Sequence, residues 1–162
     1  MKNFADNVVH FNREIVGIPD REKGLLNHDE LTFMKKVMTE ERDEFVKAHA
    51  DHDYIGAIDA LIDQMYFCIG GLHKLGLSVP EMEACCQAVH EANMTKKGGQ
   101  KKGRETGTAK DAIKPEGWVS PEERIAAIVG GYRSYVTDGE ITAKEGGNGK
   151  ESKVPFDQPF TI

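Results

Sequence analysis

The run from Ile55 to Leu72, IGAIDALIDQMYFCIGGL, constrains this chain more than any other stretch. Asp59, Asp63 and Gln64 are its only strongly polar side chains. A helix apolar on nearly every side is expected to be buried. Its length would also suit a membrane crossing. Two aspartates near the middle weigh against that, since each costs roughly 2.5 kcal/mol or more in lipid. The segment therefore predicts a core helix from about residue 53 to 75, closed by Gly76, in a protein with no membrane partner.

Helical spacing recurs on both sides of this run. Phe4, Val8, Phe11 and Ile15 predict a helix over 3–17, ended by Gly17 and Pro19. Leu31, Met34, Met38 and Phe45 mark a second over 28–50, with Asn27 or Asp29 as its cap. Pro80 opens a fourth, PEMEACCQAVHEANMTKK, stopped by Gly98 and Gly99. Ser120 and Glu123 have capping-box spacing at the head of a fifth, SPEERIAAIVGGYRSYV. No stretch alternates as a strand does. The fold class is all-α: an antiparallel bundle of about four to five helices, completed by oligomerisation, with an irregular C-terminal arm. Residues 1–136 form the domain, and 137–162 a linker and extended arm. Cys68, Cys85, Cys86 and the methionines at 34, 38 and 65 read as core.

Two acid pairs interrupt this apolar pattern. Glu41 and Glu44 share one face of the second helix, and Asp59 and Asp63 one face of the third. A short turn near residues 50–53 makes the two helices antiparallel neighbours. Glu44 and Asp59 then lie at similar distances from the turn, as do Glu41 and Asp63, so the pairs meet at one height. Buried carboxylates must be protonated, paired with bases or bound to a cation. Arg42 and Lys47 fall on other faces. A lone Glu on an apolar stripe commonly snorkels to solvent, whereas two pairs in register favour a cation. An all-oxygen cluster suits Mg²⁺, or Mn²⁺, rather than zinc. Magnesium held by few carboxylates completes its shell with water and substrate phosphate, which points to a phosphate ester or nucleotide.

Basic residues gather downstream. His90, Asn93 and Lys96 are spaced by three, and residues 94–118 hold seven bases against three acids. Such a segment could neutralise a polyphosphate or could simply be solvated. Tyr66 and Trp118 are candidates for stacking on a base, although core packing is the commoner role.

Composition closes off other classes. The 162 residues, 39% hydrophobic, suffice for one domain with a core. A net charge of −6 does not suit a nucleic-acid binder. Ten acids and four bases between residues 29 and 63 account for that whole charge, so the rest of the chain is neutral. Three cysteines make no disulfide framework and no zinc spacing, and the N-terminus lacks the pattern of a signal peptide. A reducing, cytoplasmic setting is expected.

In order, EERDEF (40–45), DALIDQMYFCIGGLHKLG (59–76), VHEANMTK (89–96) and GTAKDAIK (107–114) with Trp118 resemble the all-α nucleoside triphosphate pyrophosphohydrolases, the MazG-like superfamily. The nearest likeness is to the phosphoribosyl-ATP pyrophosphohydrolase-like branch common in phages and bacteria. It covers about residues 25–120. The family's Glu-x-x-Glu metal motif maps onto Glu41 and Glu44. Its Glu-x-x-Asp motif maps onto Asp63, with Ala60 in place of the Glu and Asp59 beside it, so the number of metal ions stays open. The resemblance implies hydrolysis of a nucleoside triphosphate between the α and β phosphates, with Mg²⁺ at Glu41, Glu44, Asp59 and Asp63. It further implies that Asn93, Lys96, Lys110 and Lys114 contact sugar or phosphate, and that Glu41 accepts a proton. Homodimers or homotetramers are usual in the family. Two other readings stay open. Ala60 motivates a nucleotide- or metal-binding relative without efficient catalysis. The C-terminal extension motivates an assembly protein.

Overall fold

The computed structural model describes residues 3–100, 103, 111–135, 140–144 and 151–155. Lys110 and most of the basic stretch around it lie outside these, as do Phe156 to Ile162. Helix α1 (Phe4–Phe11) runs into one π turn (Asn12–Val16) and stops at Gly17, whose φ is +76°. Helices α2 (His28–Ala50), α3 (Tyr54–Lys74) and α4 (Val79–Met94) follow. Strands β1 (Lys97–Gly99) and β2 (Asp111–Ile113) form a hairpin before α5 (Glu122–Val129). Then β3 (Tyr132–Tyr135), β4 (Glu140–Lys144) and β5 (Glu151–Pro155) pair antiparallel in that order.

The helical bundle agrees with the sequence, and the strands do not. Strands of three to five residues are too short for an alternation to be legible. The fifth helix is shorter than its pattern promised. Gly130, at φ +70°, breaks it, and residues 132–135 continue as strand. Ser120 makes no cap; Pro121 occupies that position.

Helices α2 and α3 form an antiparallel hairpin. Asn27 caps α2 through a reciprocal box with Glu30. Asp53 caps α3 by accepting the Gly56 amide at 2.9 Å, and His52 turns the corner at φ 55°. The hairpin buries Met34, Val37, Glu41 and Ala48 of α2 and Ala57 and Ala60 of α3. A second cluster gathers Val9, Leu77 and Met82, with Ile69, Leu72, Val79 and Val129 packed around them. At the end of α3 the chain passes so close to the preceding loop that a Cβ on Gly76 would lie 2.8 Å from the Glu22 carbonyl oxygen.

Helix α3 is not buried all round. Ile55 is 72% and Met65 55% exposed, and Ile58, Leu61 and Ile62 are exposed as well. Within one chain, α2 covers one side of α3 and the ends of α1 and α4 reach only its far half. Met38, Cys68 and Cys86 are exposed too, against the expectation of core.

The α1–α2 loop is pinned to α4. Glu81 accepts from the Ser78 amide at 2.9 Å, from the Ser78 hydroxyl at 2.7 Å and from Lys23. Lys23 also donates to the Val129 carbonyl at 2.7 Å. The Lys23 ammonium and the Ser78 donors hold the Glu81 carboxyl down at about 2. Stabilisation from a lowered acid is present above its unfolded pKa and lost as pH falls towards its folded one. Wild-type protein should lose stability between about pH 4.5 and 2. Glu81→Gln should flatten that limb and cost about 1–2 kcal/mol at neutral pH, as measured by urea melts across pH.

Candidate functional site

The hairpin gathers the four predicted carboxylates but buries only one. Glu41 is 8% exposed, whereas Glu44, Asp59 and Asp63 are open to solvent. The expectation of four buried acids fails because α3's side of the site has no cover. Burial pushes the Glu41 carboxyl up, and the negative charges of Glu44, Asp63, Glu40 and Asp59 push it further. The charges of Glu44, Asp59 and Asp63 thus each reach Glu41 across the hairpin.

Among the described residues no base pairs with this group. Arg42 pairs with Asp43 at 2.7 Å and Lys47 with Asp51 at 2.6 Å, both away from the cluster. The Oε2 atom of Glu41 is buried and accepts no hydrogen bond. Leaving such an acceptor unmade costs about 1–3 kcal/mol. As the side chains stand, no three acids, cysteines or histidines among the described residues converge on one point. The exposed carboxylates are free to turn, so the donor chemistry fits a hard divalent ion, with Glu41 as the fixed member. Ala60, where the family motif has Glu, is packed into the hairpin at 3% exposure.

Two of the basic residues gather just past the C-terminal end of α4. Lys96 and Lys114 lie over the Trp118 ring, 5.2 and 4.1 Å from its centroid. The indole Nε1 donates to the Ala92 carbonyl at 2.9 Å, which ties this group to α4. Asn93 and His90 are exposed on the same helix. No hydrogen bond or ion pair links these residues to the carboxylates among the described residues. Tyr66 packs edge-on against Phe4 and Phe11 at 5.7 and 5.5 Å, so its ring serves the α1–α3 joint.

Sequence reading missed a buried polar network. His73 is 3% exposed; its Nδ1 lies 3.2 Å from the Asn12 amide and its Nε2 3.0 Å from Asp20. Arg13 grips the same Asp20 at 2.6 and 2.7 Å. Long-range pairings of this kind leave no local periodicity to read. A polar cleft of about 530 Å³ lies beside the network, and an apolar groove of about 660 Å³ lies between α4 and α5. Neither is lined by any of the four carboxylates.

Among curated proteins, none matches this chain. A family model described as phosphoribosyl-ATP pyrophosphohydrolase matches residues 19–93. The match spans the α2–α3 hairpin with all four carboxylates and most of α4, and it ends before Lys96. Over residues 19–93 the chain is thus similar to the phosphoribosyl-ATP pyrophosphohydrolase family, a likeness that supports a nucleotide pyrophosphohydrolase kind of function.

Proposed function

We propose that the chain is a magnesium-dependent nucleoside triphosphate pyrophosphohydrolase. It would cleave between the α and β phosphates, giving a nucleoside monophosphate and pyrophosphate. The supporting observation is Glu41, a buried carboxylate with an unbonded oxygen, surrounded by acids and facing no base. Glu41, Glu44, Asp59 and Asp63 would hold Mg²⁺, with Mn²⁺ as a substitute. A bound divalent ion supplies Lewis acidity and an acidified water.

The chain's own residues do the rest. A carboxyl shifted upward, as that of Glu41 is, accepts a proton more readily near neutral pH. Asn93 would hold sugar or phosphate. Lys96, Lys110 and Lys114 would offset charge on the departing pyrophosphate. A second copy would bring the Lys96–Lys114 group of one chain to the carboxylates of the other. The exposed apolar face of α3 supports a homodimer or homotetramer, and its two aspartates favour protein over lipid as the cover.

The test is pyrophosphate release from a panel of ribo- and deoxynucleoside triphosphates and phosphoribosyl-ATP, with and without Mg²⁺. At least one triphosphate should turn over with the metal present, and none in its absence. Turnover of phosphoribosyl-ATP alone would favour the activity in the family's description. Binding of nucleotide with no turnover across the panel would overturn the hydrolase reading.

A further inference from the structure

The β1–β2 hairpin puts two like charges side by side. Its register pairs Lys97 with Ile113, Gly98 with Ala112 and Gly99 with Asp111. The residues just outside the first of these pairs are Lys96 and Lys114. Like charges placed opposite each other across two strands are destabilising. Neither ammonium has an acid partner among the described residues. Each instead faces the same indole, which bounds their separation at about 9 Å.

Trp118 is itself held from three directions. Its indole donates to Ala92 on α4, and its amide donates to the Pro115 carbonyl at 3.1 Å. Gly117, at φ +71°, lets the chain turn back to place the ring. A ring fixed in this way, with two ammoniums drawn to it, differs from an open platform awaiting a base. It gathers positive charge on a fixed mount.

The geometry points to Trp118 as the brace of a two-lysine clamp, Lys96 and Lys114, that binds a diphosphate. The inference deepens the hydrolase reading and rests on it for its role as the pyrophosphate subsite. Charge-assisted contacts of about 2.8 Å from an ammonium at either end suit the length of a diphosphate. A diphosphate offers each ammonium a phosphate group of its own, which a single phosphate does not. The ring's attraction for each cation offsets the repulsion that would otherwise splay the lysines apart, and the ligand's own charge completes the balance. Trp118 is thus a positioning residue that acts through the lysines, and its contribution is independent of the nucleobase.

The experiment is isothermal titration of the full chain with inorganic pyrophosphate, in chelator so that metal contributes nothing. Inorganic phosphate and adenosine serve as comparison probes. Trp118→Leu should weaken pyrophosphate about tenfold, Trp118→Phe should restore most of that, and phosphate should bind weakly throughout. Lys114→Gln, an exposed position whose ammonium faces only the Trp118 ring among the described residues, should weaken pyrophosphate similarly. A Trp118→Leu protein that binds pyrophosphate as wild type does would overturn the clamp. So would a loss that appears with adenosine, because the ring would then be stacking a base. Should no triphosphate turn over while pyrophosphate binding follows Trp118, the hydrolase reading falls and the clamp stands. Turnover with indifferent pyrophosphate binding gives the reverse.

Discussion

Replacing Glu41 with Gln is expected to make this protein more stable and nearly inactive. Glu41 is a buried acid among four others, with one oxygen unbonded. Its folded pKa is raised, so the folded state holds the proton more tightly than the unfolded chain does. The sign follows from linkage. Ionisation penalises the folded state as pH rises from the ordinary carboxylate range through the raised folded value. Glu41→Gln removes that penalty and should raise stability at neutral pH, while wild type and variant converge in acid. Pyrophosphate release should fall about 10²–10⁴-fold, the range for losing a proton acceptor. Asp63→Asn should lose activity with a smaller stability gain, because Asp63 is solvated. Denaturation at pH 4 and 7, with activity alongside, checks both. A variant that kept full activity would remove Glu41 from the site.

The second large effect concerns the bare side of α3. Ile55, Ile58, Ile62 and Met65 are spaced by three, four and three and form one exposed stripe. Covering each such side chain contributes about 1.5–3 kcal/mol. Ile58→Glu with Met65→Glu should therefore weaken self-association by about 10²-fold or more. Activity should fall in parallel, since a second copy would bring the lysines to the carboxylates. Light scattering on wild type and double variant measures this. A monomeric wild type at micromolar concentration, still active, would sink both the assembly and the shared site.

Much of the site was legible because helical hairpins are simple geometry. Two pairs of acids, counted from a turn, must meet when the helices either side are antiparallel. Glu44, Asp59 and Asp63 all raise the Glu41 carboxyl, while no three acids among the described residues converge on one point. Burial was misjudged for a reason that concerns the chain's surroundings. An apolar pattern reports what an element needs, and one chain did not supply it for α3. The periodicity held while its usual meaning, a covered core, did not. Trp118 shows the opposite case. Sequence left it between stacking on a base and core packing, and in the fold two cations lie over its ring.

The amino-acid sequence alone determined the helical class and the α2–α3 hairpin, and it carried the family likeness. All of these depend on spacing within helices and on one short turn. Only the tertiary structure decided which acid is buried, that two lysines lie over Trp118, how His73 joins Asn12 and Asp20, and where short strands pair. Those outcomes rest on contacts between residues far apart in the chain. Such contacts are set by packing and solvent access, and no local period records them.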